Sequence, residues 1–534
     1  MKDNMSLYEV FKEVALNNPN IVAYTQDGNR ITYDSLLKKI DEVSSSFSVL
    51  GVKKKDYVSV SLFNSLEIIL VIYALNKLGA ICNLINPLYS EEEFKYSLKQ
   101  TKSKIIVLSS TSYEKIIRIK DNTNLDTIIK IEESNSISKL NKIKQILFND
   151  ITEQNDNLSI SFNKFLGLSK QNKEEINIVK NDPAIVLYSG SSSEKLRGIL
   201  LSNKNINSFV GNINITNNND VVLNTMPIFG GFGIGFMHYI FANAIEGIYS
   251  DNKKEDETII KYRPSIILLS PNILNNLLNS KKIKTKDLSF INKVICMGDF
   301  LSKDETKKAN NFLYEHNSNA LIDNMYGLNE STSGVTLTNS ENDNLGSIGF
   351  PIENTKIKIF DNKTNKFLGP NKVGEICISG PTVMIGYLND SELTNKKLVK
   401  HKEEIYLHTE DEGYIDEDGR LYFESKMNEV IVSNGYKIYK RHIEEIIMSH
   451  PYVEKCVIIG LPHPYKKEVV KAYIVLKKGL VLNSEIKTSI KTYCEKSIAS
   501  YALPYAYGYR KEIPQNIRGK VSYEELINDK DEEI

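Results

Sequence analysis

The chain has 534 residues, of which 41% are hydrophobic and 25% are charged, a composition typical of globular proteins. This composition excludes collagen-like, mucin-like and wholly disordered classes. Lys and Arg total 67 and Asp and Glu total 67, so the formal net charge is zero and bulk electrostatics predict no nucleic-acid partner. A single hydrophobic core stops growing near about 300 residues, so the sequence predicts more than one domain.

The cysteines and the apolar runs bear on the compartment. Five cysteines lie far apart without a C-x-x-C pair, and their odd number argues against a disulfide framework. A reducing cytoplasm is therefore the expected location. The N-terminal residues lack an apolar signal core, and the longest apolar run, Leu66–Leu75, is about half of what a membrane-spanning helix needs. We expect neither secretion nor a membrane span.

Apolar runs and helical patterns alternate between Tyr57 and Leu108. Gly79 predicts the end of the first helix in this stretch. The strand, helix, strand order predicts a parallel sheet covered by helices, and hence an α/β fold. The same order returns further along, which predicts a second wound unit. The predicted strands are Val58–Phe63, Ala80–Leu84, Ile105–Leu108, Ser265–Leu269 and Val294–Met297, and the predicted helices are Ser65–Lys77, Glu91–Lys99 and Ile273–Leu278.

Two features predict how the chain divides. The polar segment Asn149–Asn181 has no sustained periodicity and predicts a surface connection. A hairpin is predicted at Gly413–Tyr422, with its turn at Asp418-Gly419, and a charged crossing follows it. We therefore predict a large N-terminal domain at residues 1–425 and a smaller α+β domain at residues 426–534. The elements predicted for the smaller domain are strands at Val453–Leu461 and Val470–Leu476 and a helix at Asn483–Lys496.

A loop rich in small hydroxyl residues follows the apolar strand pattern that ends near Tyr188. Backbone N–H groups and hydroxyls in Ser189–Ser193 are suited to bind phosphate oxygens, and Lys195 and Arg197 add positive charge. It is not a Walker A loop, because no Gly-Lys-Ser/Thr opens a helix. From this motif alone, a flexible serine-rich turn is an equal alternative.

Four further motifs follow in chain order, and with the serine-rich loop they form a recognisable series. They are Tyr326-Gly327-Leu328-Asn329-Glu330-Ser331, His408-Thr409-Glu410-Asp411-Glu412-Gly413-Tyr414, Ser433-Asn434-Gly435-Tyr436-Lys437 and Pro514-Gln515-Asn516-Ile517-Arg518-Gly519-Lys520-Val521. Their order and spacing resemble the acyl-adenylate-forming superfamily of acyl-CoA synthetases, peptide-synthetase adenylation domains and beetle luciferases. The resemblance covers the chain from about Tyr24 to Leu526. It implies a large N-terminal AMP-binding domain, a smaller mobile C-terminal domain, and the use of ATP, Mg²⁺ and coenzyme A.

The resemblance also implies roles for residues that bind the nucleotide. Tyr326 and Gly327 match the wall on the adenine side, and Asp411 matches the carboxylate that accepts both ribose hydroxyls. Glu330 matches a catalytic acid that helps to hold Mg²⁺ on the phosphates. Lys426 replaces an arginine that also reaches the ribose. The residues that match the phosphate-binding loop are Ser189, Gly190, Ser191, Ser192, Ser193 and Arg197, and Asn329 stands where a threonine contacts the phosphate.

Three residues of the C-terminal region match family positions that act in the two half-reactions. Lys520 matches the catalytic lysine that bridges the acyl carboxylate and the α-phosphate during adenylation. Gly435 matches the glycine that lines the pantetheine tunnel when the thiol attacks. The resemblance implies that the small domain rotates about a hinge between these two steps. Asn428 stands at the hinge position, where the family usually has Asp or Lys.

The phosphate-binding region departs from the family pattern at several positions. Glu194 replaces a glycine, and Leu196 and Arg197 replace a proline and a lysine. A glycine normally precedes the ribose-binding aspartate, and Glu410 stands there. A carboxylate about 5 Å from a phosphate charge would cost roughly 3 kcal/mol at an effective dielectric of about 20. These departures keep a catalytically decayed nucleotide-binding homologue open as an alternative.

The acyl group is expected to lie against Phe229, Gly230 and Gly231, because the resemblance places the acyl pocket there. Gly230 stands where acyl-CoA synthetases commonly carry a histidine or an aromatic residue, which predicts a pocket for medium-chain or long-chain acids. Amino-acid activation is less favoured, since no acidic residue between Val221 and Ile245 is present to hold a substrate ammonium.

The function expected from the sequence is that of an ATP-dependent ligase joining a small-molecule carboxylic acid to coenzyme A through an acyl-adenylate. Besides the decayed homologue, an adenylating enzyme that hands the acyl group to a carrier protein remains an alternative. A luciferase-type oxygenase also stays open.

Overall fold

The computed structural model shows four β-sheets in the part of the chain that it describes. Their described strands number nine, eight, six and five. The two largest sheets and their helices belong to a large N-terminal α/β domain, and the five-stranded sheet forms the core of a smaller C-terminal domain. This arrangement confirms the predicted fold class. The described residues are 5–132, 159–170, 178–191, 194–217, 219–250, 254–299, 301, 303–339, 346–426, 430–434, 436–514 and 525–526.

The elements follow one another along the chain within the following bounds. The helices are α1 Leu7–Asn17, α2 Tyr33–Val49, α3 Leu66–Lys77, α4 Glu91–Thr101, α5 Ser110–Ile119, α6 Phe162–Leu166, α7 Asn203–Asn212, α8 Gly231–Ala242, α9 Glu255–Tyr262, α10 Pro271–Asn279, α11 Lys303–Glu315, α12 Ser391–Lys397, α13 Lys440–Met448 and α14 Ser484–Ser497. The strands up to residue 351 are β1 Val22–Gln26, β2 Asn29–Thr32, β3 Tyr57–Ser61, β4 Ile81–Leu84, β5 Ile105–Ser109, β6 Thr127–Ile131, β7 Ser159–Ser161, β8 Pro183–Ser191, β9 Glu194–Ser202, β10 Val221–Asn224, β11 Glu246–Tyr249, β12 Ile266–Leu269, β13 Lys293–Met297, β14 Ile322–Gly327, β15 Gly334–Leu337 and β16 Phe350–Pro351. The later strands are β17 Lys356–Asp361, β18 Lys366–Phe367, β19 Gly374–Ser379, β20 Gly386–Tyr387, β21 Leu398–His401, β22 Glu404–Ile415, β23 Leu421–Lys426, β24 Val430–Ser433, β25 Tyr436–Tyr439, β26 Val453–His463, β27 Lys467–Leu476 and β28 Ala506–Arg510.

The eight-stranded sheet has the order β20-β9-β8-β4-β3-β5-β6-β7. Strands β4 and β5 both pair with β3 in parallel, which confirms the winding predicted between Tyr57 and Leu108. Helix α3 starts at the N-cap Ser65, whose hydroxyl accepts from the N–H of Ile68. Gly79 follows its end with φ +67°, a left-handed conformation that favours glycine.

The nine-stranded sheet has the order β16-β15-β14-β13-β12-β10-β11-β1-β2. Strand β12 pairs in parallel with β13, and α10 connects them, so the second predicted wound unit is confirmed. Strand β14 then pairs in parallel with β13, and β15 returns antiparallel to β14. This return follows the motif Tyr326–Ser331.

The segment Asn149–Asn181 is not only a surface connection, as the sequence suggested. Its residues 159–166 form β7, which pairs in parallel with β6, and the short helix α6. The ring of Phe165 is buried, with its centroid 4.7 Å from that of Phe47. A strand of three residues is too short to produce a visible alternation in the sequence.

The hairpin predicted at Gly413–Tyr422 is present as β22 and β23, and Gly419 in its turn has φ +90°. The five-stranded sheet follows, with β24, β26 and β27 packed against α13 and α14. This domain contacts the larger one, because Ser500 donates its N–H to the carbonyl of Leu88 at 3.2 Å. The boundary at residues 425/426 stays a prediction.

Several polar and sulfur-containing side chains are buried. His238 packs inside α8, where its nitrogens contact the hydroxyl of Tyr73 and the amide oxygen of Asn207. The five cysteines are buried and free. In the described part of the chain, no helix is both long enough and apolar enough to cross a bilayer.

Candidate functional site

The serine-rich segment begins in β8, which pairs antiparallel with β9. The register pairs Ser189 with Arg197 and Tyr188 with Gly198, so Ser189 and Arg197, which were expected in a loop, lie in paired strands. The sequence concealed this, since small hydroxyl residues are typical of turns. Ser192 and Ser193 lie outside the described residues, and at Gly190, Ser191, Glu194 and Lys195 the structure describes the backbone alone.

The motif Tyr326–Ser331 forms the end of β14 and a single 3-10 turn, Asn329–Ser331. Gly327 is required there, because a Cβ at this position would lie 2.0 Å from the carbonyl oxygen of Ser333. The chain then turns through Thr332, whose φ of +70° is unusual for a β-branched residue. This tight turn directs Glu330 towards the β8–β9 hairpin.

Glu330 is the centre of a hydrogen-bonded group at the hairpin. The hydroxyl of Ser189 donates to Oε1 of Glu330 at 2.8 Å, and the hydroxyl of Tyr387 donates to the same oxygen at 3.1 Å. Burial, and then the charge of Glu330, raises the pKa of the Tyr387 phenol, so it remains a neutral donor. The guanidinium of Arg197 lies 5.8 Å from the centre of the Tyr387 ring. Three residues that the sequence indicated, Ser189, Arg197 and Glu330, therefore meet here. Tyr387 joins them without having been indicated by the sequence.

Tyr387 was missed because no local pattern marks it. It lies on β20, a strand of two residues that pairs with Ile199 of β9. Only this tertiary pairing brings its hydroxyl to the motif around Glu330. The donor set around Glu330, a carboxylate and two hydroxyls, consists of hard oxygen atoms, which are the ligands that Mg²⁺ prefers. The residues present therefore fit the predicted metal.

Asp411 lies on β22 of the six-stranded sheet and meets Tyr326 of β14 in the nine-stranded sheet. The Tyr326 hydroxyl donates to Oδ2 of Asp411 at 2.8 Å, and Asp411 is 2% exposed. Burial, and then the negative charge of Asp411, raises the pKa of the Tyr326 phenol well above its ordinary value. The structure thus brings together the two residues predicted to hold the adenosine part of a nucleotide.

Glu410, expected from the resemblance to stand in place of a glycine, has φ +61°. A glycine would adopt this left-handed conformation without strain, whereas a residue with a side chain does not. Its carboxylate forms an ion pair of 2.8 Å with Lys397, whose side chain is 7% exposed. The ion pair offsets part of the backbone cost, which is of the order of 1–2 kcal/mol for a residue with a side chain.

Asn329 uses both ends of its amide inside the protein. Its Nδ2 donates to the carbonyl oxygen of Tyr188 at 3.0 Å, and its Oδ1 accepts from the N–H of Gly231 at 2.8 Å. Asn329 therefore links the end of β8 to the start of α8. The predicted phosphate contact of Asn329 stays a prediction, because in this arrangement the amide is already engaged with backbone.

The predicted acyl pocket surrounds the start of α8. Gly230 is the N-cap of that helix, and a Cβ there would meet only the carbonyl oxygen of Pro227, at 3.5 Å. A Cβ at Gly231 would lie 2.4 Å from the carbonyl oxygen of Thr332. A Cβ can therefore be accommodated at Gly230 but not at Gly231.

A cleft of about 670 Å³ opens beside this region, and Phe229 and Pro227 line it together with Tyr436 of the C-terminal domain. The Tyr436 ring stacks on that of Tyr501, with 4.4 Å between centroids. Gly435, the predicted tunnel residue, lies outside the described residues, as do Asn428 and Lys520. Lys426 is described by its backbone, which pairs with Asp411.

Known proteins resemble this chain along nearly its whole length. The family model described as AMP-binding enzyme matches residues 11–388, and the model described as AMP-binding enzyme C-terminal domain matches residues 442–520. A long-chain-fatty-acid–CoA ligase of Bacillus subtilis (strain 168) is 28% identical over 99% of this chain and 95% of that protein. A luciferin 4-monooxygenase of Photuris pensylvanica is 26% identical over 95% of this chain and 90% of that protein.

Among solved structures, the amide bond synthetase from Marinactinospora thermotolerans has a TM-score of 0.80 and covers 98% of this chain and 99% of its own. Its sequence identity is 17%, so this likeness concerns the fold alone.

Proposed function

Because the chain belongs to the AMP-binding enzyme family, we propose that it is an ATP-dependent acid–CoA ligase that acts through an acyl-adenylate and releases AMP and pyrophosphate. The observation that carries this proposal is the meeting of Ser189, Glu330 and Tyr387 on one side of the motif Tyr326–Ser331 and of Asp411 on the other. Residues with the chemistry to bind phosphates and ribose thus lie at the two ends of one six-residue segment.

In the first half-reaction, an oxygen of the substrate carboxylate attacks the α-phosphorus of ATP. The new oxygen–phosphorus bond forms while the bond to the pyrophosphate breaks, and pyrophosphate leaves. Two anions approach each other in this step, so positive charge must be positioned against them. We propose that Arg197 stabilises the phosphates and that Lys520 bridges the carboxylate and the α-phosphate.

The nucleotide is held from two sides in this scheme. The Asp411 carboxylate accepts hydrogen bonds from the ribose hydroxyls. The Tyr326 phenol fixes the position of that carboxylate by donating a hydrogen bond to its Oδ2. Glu330 is proposed to hold Mg²⁺ with the help of Ser189, and bound Mg²⁺ would supply charge neutralisation at the phosphates.

In the second half-reaction, the thiol sulfur of coenzyme A attacks the carbonyl carbon of the adenylate, AMP leaves, and the thiol proton passes to solvent. The cleft between Phe229 and Tyr436 supports this step, because it connects the proposed acyl site with the C-terminal domain. We propose that Gly435, the neighbour of Tyr436, lines the path of the pantetheine arm.

A second function is favoured by one observation, the engagement of Asn329 with the backbone of Tyr188 and Gly231. The position to which the resemblance assigns a phosphate contact carries an asparagine that holds two backbone segments together here. This is the pattern expected of a nucleotide-binding homologue that has lost adenylation. The two functions differ in whether pyrophosphate is released.

The test is incubation of the protein with ATP, Mg²⁺ and coenzyme A and with short-chain, medium-chain, long-chain and aromatic acids in turn. Mass spectrometry then detects acyl-CoA, acyl-adenylate and AMP. Acyl-CoA with at least one acid is the predicted result. Adenylate without thioester would point to another acceptor, such as a carrier protein. Nucleotide binding with neither product would contradict the ligase and support the decayed homologue.

A further inference from the structure

Strand β22 carries a bulge between His408 and Glu412 that includes Asp411. Cys377 of β19 pairs with His408, and Glu375 pairs with Glu412, so two steps along β19 lie opposite four steps along β22. A bulge of this kind removes backbone N–H groups from the ladder and changes the direction of the following side chain. Buried N–H groups released in this way need another acceptor.

The carboxylate of Glu375 supplies that acceptor. Its Oε1 accepts from the backbone N–H of Glu410 at 2.9 Å, and its Oε2 lies 2.8 Å from Nδ1 of His408. Glu375 is 3% exposed. Burial alone would raise its pKa, but the hydrogen bonds from His408 and from the Glu410 N–H bring the pKa below the ordinary value. The group is therefore an ionised carboxylate placed inside the bulge.

The His408 side of this contact is rigid. Its ring packs edge-on against Phe360, with 4.9 Å between centroids, and its Nε2 lies 3.1 Å from Nε2 of His401. A side chain held by a ring on one side and by a second imidazole on the other has little freedom to move. Glu375 thus connects a fixed aromatic cluster to the backbone of Glu410.

The same side chains do not favour a metal site. Ligand atoms of Glu375, Cys377 and His408 lie within 4.8 Å of one another. However, both oxygens of Glu375 already accept hydrogen bonds, and burial raises the pKa of the Cys377 thiol well above its ordinary value. A metal requires the thiolate. The cluster is therefore better suited to hold the bulge.

We propose that Glu375 is a positioning residue for Asp411. By holding the N–H of Glu410 it fixes the bulge, and the bulge directs the Asp411 carboxylate towards the hydroxyls of the ribose. Glu375 would thereby determine how strongly the protein distinguishes a nucleotide with ribose hydroxyls from one without them. This inference rests on the proposed function, because it takes Asp411 as the ribose acceptor.

The experiment compares the binding of AMP and of 2′,3′-dideoxy-AMP by isothermal titration calorimetry. It uses the full chain, Glu375→Ala, Glu375→Gln and the control Glu404→Gln. Glu404 lies at the start of β22, away from the bulge, and its carboxylate accepts a hydrogen bond from the hydroxyl of Tyr406. Glu375→Ala should weaken AMP binding roughly ten-fold and leave dideoxy-AMP binding nearly unchanged. Glu375→Gln, which keeps an acceptor for the N–H, should retain most of the preference.

The outcomes separate the inference from the proposed function. If the native protein binds AMP in preference to dideoxy-AMP and Glu375→Ala keeps that preference, the positioning role is wrong while the nucleotide site stands. Equal weakening of both ligands in Glu375→Ala would show a merely structural role and would also overturn it. If the native protein binds neither nucleotide, the proposed function itself fails. Should Glu375→Ala not fold, Glu375→Asp takes its place, because its shorter side chain withdraws the acceptor from the Glu410 N–H. Loss of the preference in Glu375→Asp supports the role, and an unchanged preference overturns it.

Discussion

The hydroxyl of Tyr326 donates to Oδ2 of Asp411 at 2.8 Å across 85 residues of sequence, where Asp411 is buried and Tyr326 is partly buried. Tyr326 ends β14 of the nine-stranded sheet, whereas Asp411 belongs to β22 of the six-stranded sheet. The hydrogen bond therefore joins the two sheets at the proposed nucleotide site. Since the Tyr326 phenol stays neutral, it is a donor to the carboxylate throughout the physiological pH range.

Removal of this donor should weaken nucleotide binding. Tyr326→Phe keeps the ring but leaves the buried carboxylate of Asp411 without one hydrogen bond, and such a bond to a charged group contributes about 1.5–3 kcal/mol. We expect AMP affinity, measured by calorimetry, to fall at least roughly ten-fold. Tyr406→Phe is the matched control, because the Tyr406 hydroxyl also donates to a carboxylate, that of Glu404. Equal effects of the two variants would argue against a specific role for Tyr326.

The loss of the Asn329 side chain should lower stability. Asn329→Ala removes two hydrogen bonds, to Tyr188 and to Gly231, and leaves a buried carbonyl and the first N–H of α8 without these partners. We expect a loss of about 1–3 kcal/mol in the free energy of unfolding, measured by urea denaturation. Asn279→Ala, which removes an exposed asparagine bonded to Asn275 within α10, should change stability far less. Equal stability of the two variants would contradict the bridging role.

The two glycines at the start of α8 should respond differently to an added side chain. Gly230→Ala should fold normally, whereas Gly231→Ala should destabilise the protein, because its Cβ would collide with the Thr332 carbonyl. Thermal denaturation measures this difference. Gly230→His should in addition shift kcat/KM towards shorter acids if the side chain fills the acyl pocket. An unchanged chain-length profile would show that Gly230 does not border the acyl group.

The motifs and the helix limits could be predicted from local chemistry. Ser65, Gly79 and Gly419 act where the sequence indicated, because capping and turn formation depend on neighbouring residues. The contacts of Glu330 with Tyr387 and of Glu375 with Glu410 could not be predicted. Each requires a strand pairing between distant segments, and the second also requires a bulge. Ser189 and Arg197 were expected in a loop, and their pairing across a hairpin depends on the same long-range order.

The stability of the protein should depend on the ionisation of Glu93. Burial raises the pKa of Glu93 to about 7 from an ordinary 4.5, although hydrogen bonds with Ser90 and the charge of Lys115 lower it in part. The pKa of Glu93 is higher in the folded protein than in the unfolded chain. Glu93 therefore makes its full contribution to the free energy of unfolding below its unfolded-state pKa, and this contribution is lost as the pH rises to about 7. Glu93 also lines a crevice with Ile438 and Ile443 of the C-terminal domain.

Glu93→Gln keeps the side chain neutral at every pH, so the stability of this variant should fall less between about pH 5 and about pH 8 than that of the native protein. The difference between the two profiles should be of the order of 1–3 kcal/mol, measured by urea denaturation across that range. Parallel profiles would show that Glu93 is ionised at no cost in the folded protein.

Exchange of labelled pyrophosphate into ATP tests the central claim most directly, because it reports adenylation without the second half-reaction. The comparison uses the native protein, Glu330→Gln and the exposed control Glu353→Gln, each with the acid that gives the most product. The account predicts robust, acid-dependent exchange by the native protein and the control, and a decrease of roughly a hundred-fold in Glu330→Gln, since the charge that is proposed to hold Mg²⁺ is lost. Exchange that is absent in the native protein with every acid, or undiminished in Glu330→Gln, would contradict it.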